Sequence, residues 1–338
     1  MNILLTGGAG YLGSVLISEL LTRKHKLRVI DIGYFGINHL KPFFSHIEFI
    51  REDIRKTYKD NQFREDIVKD CDCIIHLAAL SDDRSCEFFP KLSEEINVKV
   101  TEVLAEIAKK KNIKFIFASS CSVYGRIEHI AIEESSLNPL SLYALSKVKA
   151  EEIINNLIIS RWKAVILRCG TLFGYSPRMR FDLVINIFSL QNALYNRITI
   201  FGEGNEWRPF LHVRDAALAF LYFVEKEELK YNCYNLAYEN LKIKDVAYVF
   251  KSINPSIEII HNKDCSSDQR NYRVAVEKMK EEGFYPTIDV STGAQEIIQA
   301  INTGLIRQPA SIRYCNVKWL DRLINAKYRE FQKYTSNT

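Results

Sequence analysis

The sequence has few of the residues that stabilise small domains through covalent or rigid links. Among 338 residues there are eight cysteines and eight prolines, and the cysteines stand singly or as Cys71-Asp72-Cys73 rather than in paired Cys-x-x-Cys clusters. Neither a disulfide framework nor a metal site is therefore expected, and a reducing, cytoplasmic compartment is favoured. No apolar run approaches the roughly 18 residues that span a bilayer, and Met1–Gly7 lacks the basic stretch that opens a signal peptide. No association with a membrane is expected.

A strong excess of one charge is also missing. The 46 Lys and Arg residues against 41 Asp and Glu leave a net charge of +5, which is too small and too scattered to predict binding to nucleic acid. Residues 316–338 form a basic C-terminal tail, which we interpret as a solvated terminal helix rather than a binding tail. The composition, with 47% hydrophobic residues, is typical of a globular protein, and the length suits one large or two closely joined domains.

The first half of the chain alternates between short apolar runs and helical spacing. This alternation predicts parallel strands that are buried on both faces and joined by helices. We therefore expect an α/β fold with a doubly wound, Rossmann-type sheet, which binds ligands at the carboxyl ends of its strands. The expected strands are Ile3–Leu5, Leu27–Ile30, Ile47–Ile50, Cys73–Leu77, Lys114–Ala118 and Ala164–Leu167, and the expected helices include Tyr11–Lys24, Leu92–Lys110 and Tyr143–Ile159.

After Gly170 the pattern changes to a mixture of short strands and helices. We therefore expect a dinucleotide-binding domain over residues 1–169 and a smaller, interleaved C-terminal α/β substrate lobe over residues 170–315. The segment 211–236 is expected to return to the sheet of the first domain. Further helices are expected at Phe181–Leu194 and Arg214–Glu225.

Three glycines, Gly7, Gly10 and Gly13, connect the first expected strand to the first helix. In this pattern the first glycine permits a tight turn, the second lets backbone N–H groups approach a pyrophosphate, and the third packs the helix against the strand. The N–H groups at the helix start then face the anion. Asp31 ends the second strand, where its carboxylate would hold a ribose hydroxyl pair and repel a 2′-phosphate. NAD is therefore favoured over NADP as the cofactor.

A second pattern places Tyr143 and Lys147 on one face of an expected helix. A free phenol, with a pKa of about 10, is a poor base at neutral pH, but a nearby ammonium and a nicotinamide ring would favour the phenolate. Phe115–Ser120 is expected to be a strand that ends in hydroxyl groups at the carboxyl edge of the sheet. Together these groups predict removal of a hydroxyl proton as hydride leaves carbon for the cofactor.

With these motifs the chain resembles the extended short-chain dehydrogenase/reductase superfamily, in its NAD-dependent epimerase/dehydratase branch that acts on nucleotide sugars. The matching blocks are Thr6–Gly13, His76–Ala79, Ser119–Gly125, Tyr143–Lys147 and Arg208–Val213. The resemblance implies that Tyr143 is the catalytic base and acid and that Ser120 hydrogen-bonds the reacting oxygen. It also implies that Lys147 holds the nicotinamide ribose and lowers the pKa of Tyr143.

The resemblance further implies a set of residues that contact NAD. Leu77, Ala78 and Ala79 would line the cofactor, and Asn97 matches the family's asparagine in the following helix. From its position after the third expected strand, Asp53 is expected to accept the adenine amino group, with a helix cap as the alternative. The expected cofactor-binding set is Gly7, Gly10, Tyr11, Leu12, Gly13, Asp31, Asp53, Ile54, Leu77, Ala78, Ala79, Asn97, Tyr143 and Lys147.

Residues for the substrate side are implied in the same way. Arg208 and Arg270 match phosphate-binding arginines of relatives. Thr171 and Asp182 stand where relatives carry asparagines that contact the phosphates. Arg178 and Arg180 suit a diphosphate or an acidic sugar, with surface cations of a loop as an equal alternative. Phe201 is expected against the nucleotide base or in the core. The expected substrate-binding set is Ser81, Ser120, Cys121, Ser122, Thr171, Arg178, Arg180, Asp182, Phe201, Arg208 and Arg270.

One departure from the family bears on the reaction. Relatives that eliminate water carry Asp-Glu where this chain has Cys121-Ser122, so 4,6-dehydration is not expected. Cys121 is interpreted either as an acid/base group or as packing under the nicotinamide. The family's epimerising cysteine would align with Ser122 instead.

The expected function is oxidation of a sugar hydroxyl at C4 of a nucleotide-activated sugar, followed by return of the hydride to the opposite face. A net 4-dehydrogenase or 4-ketoreductase that uses the same residues is the alternative. A non-catalytic NAD-binding protein would have lost some of Ser120, Tyr143 and Lys147. Relatives dimerise through helices similar to Leu92–Lys110 and Tyr143–Ile159, which implies a homodimer joined by a four-helix bundle.

Overall fold

The computed structural model describes residues 1–158, 162–262 and 268–324. Its strands are β1 (Asn2–Thr6), β2 (Lys26–Ile30), β3 (Ile47–Ile50), β4 (Cys73–His76), β5 (Lys114–Ser120), β6 (Arg126–Ala131), β7 (Ala164–Cys169), β8 (Thr171–Phe173), β9 (Arg197–Phe201), β10 (Trp207–His212), β11 (Cys233–Leu236), β12 (Glu239–Lys242), β13 (Glu258–Asn262) and β14 (Asn271–Val274). Seven of them form a parallel sheet in the order β3-β2-β1-β4-β5-β7-β11. The strand order reverses between β1 and β4, and a crevice for ligands opens at the carboxyl ends of the strands at such a point.

Helices cover both faces of this sheet. They are α1 (Tyr11–Thr22), α2 (Lys56–Lys59), α3 (Asn61–Ile67), α4 (Asp83–Phe88), α5 (Pro90–Ser93), α6 (Val100–Lys110), α7 (Leu142–Leu157), α8 (Val184–Tyr195), α9 (Val213–Glu225), α10 (Ile243–Ile253), α11 (Glu277–Glu282) and α12 (Val290–Asn302). Helices α1 and α9 contribute to the apolar core on one face, and α6 and α7 to the core on the other. Because the strands are buried on both sides, they consist of nearly continuous apolar residues such as Ile3, Leu4 and Leu5, all fully buried.

The second lobe is built from small sheets and its own core. Strands β12, β10 and β8 form one sheet, while β13 pairs with β9 and β14 with β6. Phe173, Phe210 and Phe250 are fully buried in the core between these strands and helices α8, α10 and α12. The chain leaves this lobe again at β11, which lies beside β7 in the large sheet. The division into domains at residues 169 and 170 stays a prediction.

The expected Rossmann-type α/β fold is confirmed, as are the six strands expected in the first half. Helix α8 begins at Val184 rather than Phe181, because the preceding residues form the polar contacts described below. The end of the helix expected to reach Ile159 lies outside the described residues. Among the described residues, no helix is both long and apolar enough to cross a membrane.

The expected terminal helix is present over residues 316–324, but it is solvated on one side only. These residues are helical, and Leu320 is only 1% exposed while Asn316 is buried as well. An apolar side chain in this segment therefore packs against the rest of the protein, although most of its neighbours in the sequence are polar. The rest of the expected tail, residues 325–338, lies outside the described residues.

Candidate active site

The turn between β1 and α1 has room for glycine only. Gly7 has a φ of +74°, and a Cβ there would lie 2.7 Å from the backbone N of Ala78. A Cβ on Gly13 would lie 2.4 Å from the carbonyl oxygen of Gly7. Gly10 is the N-cap of α1 and provides no side-chain hydrogen bond, so the first N–H groups of the helix have no capping side chain and remain available to an anion. This cradle fits the pyrophosphate of a dinucleotide.

Asp31 is fixed beside this turn at the end of β2. One carboxylate oxygen accepts the Ala9 N–H at 3.0 Å, and the other accepts the Gly33 N–H at 2.7 Å. Burial raises the pKa of Asp31, and these hydrogen bonds together with the charge of Arg178 oppose that shift. The carboxylate is therefore oriented next to the glycine turn, as a partner for ribose hydroxyls would have to be.

The side chains of three other expected cofactor residues contact other groups of the protein. The Tyr11 hydroxyl donates to the carbonyl oxygen of Gly174 at 2.6 Å, which joins α1 to the second lobe. Asp53 forms an ion pair with Arg55 at 2.6 Å, and Ile54 is buried in the core. Any contact of Tyr11 with the cofactor would therefore use its backbone N–H. The roles of Asp53 and Ile54 stay predictions.

A chain of buried hydrogen bonds holds the end of β4. His76 contacts the Thr6 hydroxyl through Nδ1 at 2.7 Å and the Thr101 hydroxyl through Nε2 at 3.0 Å. The Thr101 hydroxyl donates to the carbonyl oxygen of Asn97, and the Thr6 hydroxyl accepts the N–H of Ala78. This pattern fixes Nε2 of His76 as the protonated nitrogen. Burial lowers the pKa of His76 to about 3, so the ring is neutral and orients the loop rather than transferring protons.

Asn97 continues this arrangement from a π-helical stretch, Glu94–Lys99, that connects α5 to α6. Its side-chain oxygen accepts the N–H of Leu80 at 2.9 Å, and its Nδ2 donates to the carbonyl oxygen of Leu80 at 3.1 Å and to Ser146 at 3.0 Å. The amide is thus used to position the loop after β4. Leu77, Ala78 and Ala79 stay partly exposed on this loop, where they form the floor of the crevice.

Tyr143, Lys147 and Ser120 come together where β5 ends beside α7. The Ser120 hydroxyl lies close enough to the Tyr143 phenol to lower its pKa. Lys147 donates to the carbonyl oxygen of Ala118 at 2.7 Å, and its Nζ lies 5.8 Å from the centre of the Tyr143 ring. Burial lowers the pKa of Lys147 to about 8. Burial, followed by the nearby Cys86, raises the pKa of Tyr143, whereas the Ser120 contact lowers it.

A buried ion pair lies behind this group. Glu151, one turn after Lys147 on α7, pairs with Arg168 of β7 at 2.6 Å, and both side chains are at most 6% exposed. Glu151 also accepts a hydrogen bond from Ser119, and Arg168 donates to the Tyr124 hydroxyl at 2.8 Å. This network was not predicted from the sequence, in which the available signal was the spacing of Glu151, four residues after Lys147.

Cys121 and Ser122 follow Ser120 in a short 3-10 helix, Cys121–Tyr124. The Cys121 thiol donates to the carbonyl oxygen of Arg168 at 3.1 Å, and burial holds its pKa well above the ordinary value. This environment favours the packing interpretation over an acid/base role. Ser122 is 3% exposed, and its buried hydroxyl has no hydrogen-bond partner among the described residues, so its role in substrate binding stays a prediction.

Arg180 and Asp182 form an ion pair at 2.9 Å ahead of α8. Arg180 also donates to the Ser81 hydroxyl at 3.2 Å, which connects the second lobe to the loop after β4. Asp182 accepts the backbone N–H of Asn316 at 3.0 Å. Both side chains of the pair are mostly buried, so the surface-loop alternative is wrong for Arg180.

Arg178 lies closer to the cofactor crevice than expected. It is 5% exposed, its guanidinium lies 3.9 Å from the centre of the Phe35 ring, and Nη2 donates to Asn316 at 2.5 Å. Burial, followed by the neighbouring charge of Arg180, lowers the pKa of Arg178 to about 9, and the Asp31 carboxylate opposes this shift. The surface-loop alternative is wrong for Arg178 too, and its charge acts on the residue expected to bind ribose.

Arg208 and Arg270 both form ion pairs with acidic side chains. Arg208 pairs with Asp268 at 2.8 Å, and Arg270 pairs with Asp268 and, at 2.6 Å, with Asp83. Asp83 also accepts a hydrogen bond from Ser141, the N-cap of α7. Each guanidinium therefore has a carboxylate partner that an anionic substrate would have to replace or share.

The two remaining expected substrate residues lie in strands of the second lobe. Thr171 is half-buried in β8, opposite Phe210 of β10. Phe201 ends β9 with 57% of its surface exposed, so the core alternative is wrong and the ring is free to contact a ligand. Among the described residues, no group of three or more His, Cys, Asp or Glu side chains is arranged to bind a metal ion.

Comparisons with known proteins identify the family of the chain. The model of the "NAD dependent epimerase/dehydratase family" matches residues 3–237. A putative UDP-glucose 4-epimerase of Methanocaldococcus jannaschii is 31% identical over 310 residues, which cover 88% of this chain and 97% of that protein.

Solved structures with the same fold include two epimerases. The UDP-glucuronic acid 4-epimerase from Bacillus cereus, in complex with UDP-glucuronic acid and NAD, is 26% identical with a TM-score of 0.75 and covers 90% of this chain and 99% of its own. A UDP-glucose 4-epimerase from Thermotoga maritima, with UDP-glucose, has a TM-score of 0.80 at 23% identity and covers 90% of this chain and all of its own.

Proposed function

The chain belongs to the NAD-dependent epimerase/dehydratase family, and from this premise we propose that it is an NAD-dependent enzyme that inverts the C4 hydroxyl of a nucleotide-activated sugar. The observation that carries the proposal is the position of Lys147 Nζ, 5.8 Å from the centre of the Tyr143 ring, where Ser120 is also close enough to lower the pKa of the phenol. This group lies at the carboxyl edge of the sheet, which also carries the glycine turn and Asp31. Alcohol oxidation requires such a base, a hydrogen-bond donor for oxygen and a cation.

Each of the three residues has a separate task in this proposal. Tyr143 removes the proton from the C4 hydroxyl. It returns the proton after the keto sugar has rotated so that the opposite face of C4 is directed to the cofactor. Ser120 donates a hydrogen bond to the same oxygen, and Lys147 supplies positive charge that favours the phenolate. NAD, when bound, accepts hydride from C4 and returns it. A phenol whose pKa is raised by burial becomes a usable base only when such positive charge is nearby.

The substrate class is proposed from the second lobe. Arg208 and Arg270 suit the diphosphate because a guanidinium binds phosphate oxygens in pairs, and the exposed Phe201 ring suits the base. Thr171, half-buried at the start of β8, suits the sugar. Relatives named for UDP-glucose and UDP-glucuronic acid support a UDP-sugar as the first candidate.

The proposed assembly is a homodimer that uses the helices α6 and α7, in a cytoplasmic enzyme. These helices pack against each other on one face of the sheet. Leu142 and Leu145 of α7 are exposed, which supports burial against a second copy. Molar mass from light scattering tests this: the dimer predicts about twice 39.2 kDa, and a single-chain mass would contradict it.

A net 4-dehydrogenase or 4-ketoreductase would use the same residues, so turnover has to separate the candidates. We expect the purified enzyme to convert UDP-glucose or UDP-glucuronic acid to the C4 epimer without an added electron acceptor, as followed by NMR of the sugar. Tyr143→Phe should lower kcat by about a thousandfold while NADH binding persists. Accumulation of NADH in step with a 4-keto product would instead identify a dehydrogenase.

A further inference from the structure

Residues 316–324, which we call the C-terminal segment, contact the protein on opposite sides of the cofactor crevice. At its start, the Asn316 N–H donates to Asp182 at 3.0 Å, and the Asn316 side chain accepts from Arg178 at 2.5 Å. One turn further, Nε1 of Trp319 donates to the carbonyl oxygen of Tyr34 at 2.7 Å. Asp182 and Arg178 belong to the second lobe, whereas Tyr34 follows β2. The segment therefore bridges the two lobes.

The apolar side of the segment faces the site. Leu320 is 1% exposed and forms a small apolar cluster with Leu80 and Cys86. The partly buried side chains packed against this cluster are Tyr34, Phe35, Phe89, Leu92 and Tyr143. The cluster thus includes the loop after β4, which forms the floor of the crevice, and extends to the catalytic phenol.

These contacts place the segment above the crevice without filling it. The floor residues Gly7, Gly10 and Leu77–Ala79 stay partly exposed although the segment is docked. The segment is attached next to Asp31 through Tyr34, and next to Tyr143 through the Leu320 cluster. A dinucleotide that extends from Asp31 to Tyr143 would therefore lie between the sheet edge and the segment.

We propose that the C-terminal segment is the outer wall of the dinucleotide site and slows the release of NAD. The proposal rests on the proposed function, since it requires NAD to lie along the glycine turn. For an epimerase such a wall has a clear use, because the reduced cofactor must stay bound until it returns hydride to the sugar. The segment also orients Arg178. The side chain of Asn316 holds the Arg178 guanidinium where its charge acts on Asp31.

The test is the rate at which NADH leaves the full-length protein, followed by loss of its fluorescence after mixing with excess NAD. Leu320→Ala removes the side chain that anchors the segment, and we expect release to become about tenfold faster, a change of roughly 1.4 kcal/mol. Lys318→Ala is the matched control, because Lys318 is exposed on the same segment, and its release rate should equal that of the wild type.

A second variant keeps the proposal falsifiable if Leu320→Ala fails to fold. Trp319→Phe removes the indole N–H that donates to Tyr34 but keeps an aromatic ring, and release should again be faster than in the wild type. Unchanged or slower release in every variant that folds would overturn the proposal, and so would tighter NADH binding, which would identify the segment as a competitor of the cofactor. A wild-type protein that binds no NADH would instead contradict the proposed function itself.

Discussion

Asp83 and Arg270 form an ion pair at 2.6 Å although 187 positions separate them in the sequence. Asp83 begins α4 beside the large sheet, and Arg270 immediately precedes β14 of the second lobe. The pair therefore crosses the proposed substrate cleft. Because Arg270 also pairs with Asp268, a substrate diphosphate would have to compete with two carboxylates for this guanidinium.

This competition predicts opposite effects of two substitutions on substrate binding. Arg270→Met should raise KM for the nucleotide sugar by about tenfold or more, since a hydrogen bond to a charged group contributes about 1.5–3 kcal/mol. Asp268→Asn should lower KM, because it removes a carboxylate that competes for both Arg208 and Arg270. Steady-state kinetics test both, with kcat changing less than KM. A lower KM for Arg270→Met would contradict the assignment.

The glycine turn allows a test with a closely matched control. Gly7→Ala would place a Cβ 2.7 Å from backbone at Ala78 and strain a φ of +74°. Gly36→Ala meets a similar strain, at φ +88°, but nothing lies within 4 Å of its Cβ. Each should lose about 1–2 kcal/mol of unfolding free energy from the backbone strain, but only Gly7→Ala should also weaken NADH binding. Titration by NADH fluorescence measures this, and equal affinities would contradict the proposed cradle.

The pH dependence of turnover follows from Lys147. Its pKa is lowered from 10.5 to about 8 because the side chain is buried, so the ammonium is present below pH 8 and lost above it. We expect kcat/KM to fall as the pH rises through about 8, since the neutral amine no longer favours the Tyr143 phenolate. Lys147→Arg keeps its charge and should not show this alkaline decrease, whatever its absolute rate. A wild-type profile that stays flat to about pH 9.5 would contradict the assignment.

The buried pair of Glu151 and Arg168 predicts a stability effect. Glu151→Gln leaves the Arg168 charge buried without its partner, and removal of one member of a buried pair costs about 3–5 kcal/mol. Glu152→Gln, on the exposed side of the same helix, should change the free energy of unfolding by less than about 0.5 kcal/mol. Urea unfolding measures both. Equal stabilities would show that the pair contributes little to the fold.

Features that depend on neighbours in the sequence were predictable. The turn at Gly7–Gly13 and the spacing of Tyr143 and Lys147 are local, because a tight turn and one turn of a helix each fix their own geometry. The parallel strands were predictable for a similar reason, since burial on both faces requires a continuous apolar run. These local patterns were enough to define the fold and to locate the group that we propose carries the chemistry.

Contacts between distant segments were not predictable from one sequence. Arg178 was expected either to bind a diphosphate or an acidic sugar or to be a surface cation of a loop. Its partner Asn316 is 138 positions away and holds it beside the cofactor crevice. The short strands β6 and β14 were missed because each consists of a few residues whose partner lies in another part of the chain. The docking of Leu320 was missed because a single apolar residue among polar ones gives no periodic signal.

The central claim is that hydride leaves C4 of a nucleotide sugar and returns to the same carbon from the NAD site. A nucleotide sugar labelled with deuterium at C4 tests it directly when it is incubated with the enzyme in ordinary water without an electron acceptor. The account predicts that the C4 epimer forms with the deuterium still at C4, as seen by NMR and mass spectrometry. Loss of the label to solvent during epimerisation would contradict it, because the proton would then be removed from carbon by a base and NAD would have no part in the reaction.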